Sequence, residues 1–265
     1  MSTTGRQLAW VVVGLTVALY VGWALAPTSA LYTKWLDGHR LLAIAAVFKL
    51  ASLLAGAAWA FECRDRLEAG NPARPAWFLL SLGMLSSFAG QLCLAPYQFV
   101  FAETPFPGPG DIFYLLAYPF LIAALLIFLN AYREAGLPMG SLGERALLVA
   151  GVGVVAVVIL RPVVATAGPL LERILTVAYP ALDLVLLVPL VLLLRIALKL
   201  RGSKVGEVWL LLLTGFAFMC AGDICFAYFL ALGAVELDPF VHATYILAYF
   251  LVASGAQRQL RILKS

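Results

Sequence analysis

The run EVWLLLLTGFAFMCAGDICFAYFLA occupies residues 207–231, and its reading decides the fold. Between Glu207 and Asp223 it carries no charged side chain. A helix rises about 1.5 Å per residue and the hydrocarbon core of a bilayer is about 30 Å thick, so roughly 20 apolar residues span it. The run meets that length with no Pro or turn cluster to interrupt it. It is expected to cross a membrane as one helix.

Seven more segments meet the same test, near 8–26, 41–61, 77–99, 111–131, 145–164, 175–197 and 239–257. Ala146–Leu160 and Leu184–Leu194 are apolar all round and rich in strand-forming residues, but their length and lack of turn punctuation predict helix. Composition agrees. The 265 residues are 63% hydrophobic and 12% charged, which leaves too little polar surface to coat a water-soluble globule. A soluble enzyme and a nucleic-acid binder are thereby excluded, and the lipid bilayer is the expected partner. Four cysteines are too few for a disulfide framework and read as small buried hydrophobes. The first span is followed by Ala24-Leu25-Ala26, a small-residue pattern like a cleavage site. Its apolar run is too long for a signal peptide and Pro27 would follow the cut, so it is read as a retained helix.

The basic residues fall on alternate connections. One face would hold Arg6; Arg64, Arg66 and Arg74; Arg133 and Arg145; Arg195, Lys199, Arg201 and Lys204; and Arg258, Arg261 and Lys264. The other would hold only Lys34, Arg40, Arg161 and Arg173. The positive-inside rule then places both termini in the cytoplasm, and the net charge of +4 becomes a mark of topology.

The run 207–231 also has a counterpart upstream. Trp209, Gly215, Ala221, Gly222 and Cys225 match Trp77, Gly83, Ala89, Gly90 and Cys93 at one constant offset, and Tyr245–Tyr249 matches Tyr114–Tyr118. Two four-span halves follow, about 1–135 and about 140–260. Four is an even number, so both halves enter from the same side and the repeat is parallel. The expected fold is an all-α integral membrane domain over 1–265, with eight transmembrane helices as two parallel four-helix repeats. Gly83 and Gly90, like Gly215 and Gly222, share a helix face and predict close helix seams.

Ionisable groups inside a bilayer are costly and are functional candidates by default. Here they are Lys49, Asp183 and Asp223, with Gln91 as an uncharged companion and His242 at the outer end of span eight. Measured up from Glu207, Asp223 lies roughly 24 Å from the cytoplasmic side. Lys49 and Asp183 sit at near-equivalent places in the two halves. Most tyrosines lie at the midplane or outward of it, and Tyr118, Tyr179 and Tyr249 are too deep for an interfacial belt, so their hydroxyls are expected to meet the carboxylates at similar depth. Two readings stand. In one, Lys49, Gln91, Tyr118, Asp183, Asp223, Tyr249 and His242 line an outward-opening cavity for a small or lipid-like ligand. In the other, Lys49 pairs with Asp183 or Asp223 and locks the halves together. Asp111, after the stiff Pro105–Gly110 segment, is expected to cap span four. Neither a metal cluster, a phosphate loop nor a nucleophile elbow is legible, so no cofactor, metal or catalytic residue is expected.

Pro107 with Asp111-Ile112-Phe113-Tyr114-Leu115 and Tyr118-Pro119, then Ala178-Tyr179-Pro180 with Asp183, then Gly222-Asp223 with Tyr245 and Tyr249, form one ordered pattern. It resembles the polytopic bacterial membrane sensor-type domains found N-terminal to GGDEF, EAL and histidine kinase modules. The resemblance implies an inner-membrane, eight-helix domain that senses a signal. Gln91 departs from it, standing where an acidic residue is expected after Gly90. No output module follows within the 265 residues, so output is expected through a separate signalling partner or a homodimer. The Gly222-Asp223 pattern is also similar to the membrane lysoplasmalogenases, which implies a lysolipid hydrolase using Asp223 as the alternative. A small-solute transporter is the third class.

Overall fold

Each apolar segment folds as one α-helix, and most outrun their apolar stretch because the capping residues lie in the polar flanks. In the computed structural model, residues 3–101, 104–137, 141–165, 168–234 and 237–265 are described. The long helices among them are α1 (Thr3–Leu25), α2 (Gly38–Arg66), α3 (Arg74–Pro96), α4 (Asp111–Glu134), α5 (Leu142–Val164), α6 (Leu170–Lys199), α7 (Lys204–Leu232) and α8 (Asp238–Lys264). Asp37 caps α2 by accepting the Arg40 N–H at 2.9 Å, and Ser203 caps α7 by accepting the Gly206 N–H at 3.0 Å. Ser141 and Glu144 cap α5 reciprocally. At its far end α7 stops on Gly233, whose φ of +69° is the left-handed conformation that glycine adopts without strain.

The third span was expected to reach residue 99 as one helix. Instead α3 ends at Pro96, and Tyr97–Phe101 form a π-helical turn. Pro96 has no N–H to return to the preceding turn, and the wider turn absorbs that defect.

By length and composition, seven helices among the described residues can cross a membrane: α1–α4, with α3 extended through its π turn, and α6–α8. Large apolar side chains at mid-helix stand exposed, among them Leu15, Leu54, Leu126, Val157, Val185 and Leu210. A surface of this kind is stable against lipid and unstable against water.

The packing centres on α7 against α8, α3 against α4, and α2 against both α3 and α8. α6 lies on α7 and α4, α1 on α8, and α5 on α6. Glycines set the closest approaches. A Cβ on Gly83 would sit 2.4 Å from Leu121 Cδ2. On Gly215 it would meet Val252 Cγ2 at 2.7 Å and the Ala248 carbonyl at 2.9 Å. At the end of the bundle near both termini, Trp77 and Trp209 each stand edge-on to Phe128, at 5.2 and 5.1 Å between ring centroids. Trp209 donates its indole N–H to the Tyr132 hydroxyl. This aromatic group fills the interior there. Glu62 with Lys264 (2.6 Å) and Glu144 with Arg195 (3.0 Å) form ion pairs on the same end; exposed as they are, they contribute little.

The two glycine environments predict a contrast. Gly215→Ala forces a methyl onto backbone and is expected to cost about 1–3 kcal/mol. Gly14→Ala, where nothing lies within 4 Å, is expected to change stability by less than about 0.5 kcal/mol. Thermal unfolding of both variants in one detergent checks this, and equal shifts would refute the packing account.

Candidate functional site

Carboxyl groups inside a helix bundle must be paired, protonated or hydrogen-bonded, because hydrocarbon offers no replacement for water. The structure meets that demand around one tyrosine. Tyr118 of α4 places its hydroxyl 2.9 Å from Asp183 Oδ1 on α6 and 2.8 Å from Asp223 Oδ2 on α7. Tyr245 of α8 donates its hydroxyl to Asp223 Oδ1. Asp183 is fully buried, and its Oδ2 has no hydrogen-bond partner. A phenol has one proton and can donate only once. If Tyr118 donates to one aspartate, the second contact needs a proton from the other carboxyl. The Tyr118 hydroxyl thus bridges the carboxyls of two helices, and in hydrocarbon the pair is held by that bridge and not by water.

A cavity of about 690 Å³ opens beside this cluster, at the end of the bundle away from the termini. Its mouth reaches the exposed residues Pro27 and Thr104. Lys49, Gln91, Tyr118, Asp223, Tyr249 and His242 all line it; Asp183 lies behind Tyr118 and reaches the cavity only through that hydroxyl.

Lys49 does not pair with Asp183 or Asp223, which corrects the locking reading. Among the described residues its Nζ instead lies 3.5 Å from His242 Nδ1, and His242 Nε2 lies 3.3 Å from Asp238. The reason is helix order. α2 packs on α8, so its lysine meets the α8 histidine and not the carboxyls of α6 and α7. Gln91 accepts from Tyr114 at 3.3 Å and donates to Gln98 at 2.8 Å.

Asp111 is the second correction. It is the first residue of α4, and its carboxylate makes no cap bond to that helix. It accepts the Gly108 N–H at 2.6 Å and the Tyr179 hydroxyl at 2.6 Å. It thus fixes the Pro-rich connection and ties α6 to α4 on the cavity wall. Neither Tyr179 nor Tyr245 is among the expected cavity residues, although the depth of Tyr179 calls for a carboxylate partner and the match of Tyr245 to Tyr114 in the repeat points to the other.

Tyr249 differs from its neighbours. It is over nine-tenths buried, stacks on Tyr245 with centroids 6.2 Å apart, and lines the cavity. Among the described residues its hydroxyl has no hydrogen-bond partner. The described lining also holds carboxyls from Asp111, Glu172 and Asp238, one lysine and no arginine. No group of three or more His, Cys, Asp and Glu side chains among the described residues is arranged to hold a metal ion.

Searches against family models, curated proteins and solved structures found no match to this chain.

The hydrogen-bond geometry predicts unequal costs for two similar changes. Tyr118→Phe leaves two buried carboxyls without their bridge and is expected to destabilise by about 1–3 kcal/mol. Tyr249→Phe removes an unpartnered hydroxyl and is expected to change stability by less than about 0.5 kcal/mol. Parallel denaturation of the two variants tests the assignment.

Proposed function

We propose that this chain is an eight-span inner-membrane protein of the sensor type, which binds a small or lipid-like ligand from the outer side and performs no chemistry of its own. The observation that carries the reading is the convergence of Lys49, Gln91, Tyr118, Asp223, Tyr249 and His242 on one cavity with apolar and aromatic walls. Binding sites combine an apolar body with a few polar groups in this way. The unpartnered Tyr249 hydroxyl is a group for a ligand to satisfy.

The finer architecture belongs to the same proposal. α5 is the eighth span, and the helices form two parallel halves. Matching contacts support this. Gly83 meets Leu121 as Gly215 meets Val252, Gly90 meets Tyr114 as Gly222 meets Tyr245, and Trp77 and Trp209 share Phe128. The distribution of Lys and Arg supports cytoplasmic termini, which turns the cavity mouth outward. The Trp77, Phe128 and Trp209 rings pack together toward the other end, and none of them lines the cavity. Output passes to a separate signalling partner or a second copy of the chain.

One observation favours a second reading, a lysolipid hydrolase. Asp183 and Asp223 meet at one Tyr118 hydroxyl beside the cavity, and one carboxyl of such a pair can act as acid while the other acts as base. Release of products from ether or ester lysolipids by the purified protein, abolished by Asp223→Asn, would establish it in place of the binding reading.

The binding reading is tested by ligand-induced thermal stabilisation across lysolipids, fatty acids, alkylamines and sterols. A ligand at a hundredfold excess over its Kd stabilises by about 2.7 kcal/mol. At least one class is expected to do so, with the gain reduced in Asp223→Asn and Lys49→Met. Unchanged gains in both variants, for every ligand that binds, would overturn it.

A further inference from the structure

The charges around the cavity are unevenly placed, and the unevenness selects a ligand. Lys49, His242 and Asp238 form a chain of contacts at 3.5 and 3.3 Å. The lysine charge is answered there by the Asp238 carboxylate. Among the described residues no basic side chain forms a hydrogen bond or ion pair with Asp183 or Asp223. The groups around that pair are Tyr118 from α4, Cys220 on α7, and Tyr245 and Tyr249 from α8. Tyr118 links the two carboxyls, and Asp223 presents its own to the cavity. Asp111, which accepts two hydrogen bonds from Gly108 and Tyr179, and Glu172 add negative potential from the same side as the mouth.

The aromatic rings add a second preference of the same sign. Tyr114, Tyr118, Tyr179, Tyr245 and Tyr249 all line the cavity, with Phe106 and Phe226 packed edge-on at 5.0 Å. The face of an aromatic ring carries negative potential and attracts a cation, most strongly where water is excluded. A carboxylate flanked by such rings is the arrangement that recognises an ammonium group. With Lys49 answered by Asp238, an anionic ligand would meet three further carboxyls in the lining, Asp111, Glu172 and Asp223.

The geometry points to a cationic amphiphile as the ligand: an alkyl amine or quaternary ammonium whose charged group settles between Asp223 and Tyr249, and whose chain lies along the apolar wall. This inference rests on the binding reading proposed above and narrows it to one chemical class.

The test uses the full-length protein in lipid nanodiscs, with empty nanodiscs as the partition reference. Three probes of equal chain length are titrated: octyltrimethylammonium, octanol and octanoate. The ammonium is expected to bind at least tenfold more tightly than the alcohol, and the carboxylate most weakly. Asp223→Asn, which keeps the side-chain size, is expected to weaken the ammonium at least tenfold and leave the alcohol within twofold. The charge series on the unmodified protein stands even if that variant fails to fold. Octanol or octanoate binding as tightly as the ammonium would overturn the cationic assignment and leave the binding reading intact. No probe binding above the empty-nanodisc level would overturn the binding reading itself.

Discussion

Tyr118 has one proton to give and two buried carboxyls to give it to. That constraint organises the half of the bundle that holds the cavity. The phenol stands on α4, and the carboxyls on α6 and α7, so three helices meet in one hydrogen-bonded group. Tyr245 adds α8 through the other oxygen of Asp223. In hydrocarbon each of these polar atoms must find its partner within the protein. The helices are therefore held to the spacing at which hydroxyl and carboxyl touch, and the cavity beside them inherits that spacing.

The glycines make the contact possible. Gly222 immediately precedes Asp223, and a Cβ there would lie 3.0 Å from the Tyr245 ring. With only hydrogen at that position, the ring lies across α7 and its hydroxyl reaches the next residue along. Gly90 and Gln91 repeat the device with Tyr114: the ring packs over the glycine, and the hydroxyl meets the amide at 3.3 Å. What reads from sequence as a small-residue seam is thus also a means of delivering a phenol to a polar side chain. On the two-half reading, the same scaffold carries different chemistry on its two sides. Gln91 is neutral and joined to Gln98, whereas Asp223 is acidic and joined to Asp183 through Tyr118. The Tyr118 hydroxyl is committed to two partners, and that of its counterpart Tyr249 to none among the described residues.

Much of this was legible because helices and depth follow from simple arithmetic. Apolar length gave the spans, and residue spacing put Lys49, Gln91, Asp183 and Asp223 at compatible depths. Depth is a one-dimensional quantity, however, and partners are chosen by the order of helices around the bundle. Nothing in the sequence says that α2 packs on α8 and not on α6. Lys49 was therefore given an aspartate for a partner, when the bundle gives it His242. Asp111 was misread for a related reason. Its local pattern is that of a helix cap, and the local signal cannot show that Tyr179 arrives from another helix to take its carboxylate. The break of α3 at Pro96 was visible as a proline, but its outcome as a π turn depends on the chain that follows.

The two charged walls differ in what a ligand would disturb. The Lys49–His242–Asp238 chain joins α2 to α8 alone, and a molecule passing it breaks no contact between other helices. Asp223 is shared between the Tyr118 and Tyr245 hydroxyls, so any ligand that draws on its charge competes directly with interhelical hydrogen bonds. A ligand shifts a conformational equilibrium only by its difference in affinity for the two states. That difference arises most readily where bound and empty forms exchange one set of contacts for another. Occupancy at Asp223 is therefore felt by α4, α6, α7 and α8 together. Those helices run on past the cavity to the aromatic group at the other end, where α4 contributes Phe128 and Tyr132 and α7 contributes Trp209. On the proposed binding reading, the path from ligand to the far face is a change in how α4 and α7 sit against each other, carried by two helices and needing no loop between them.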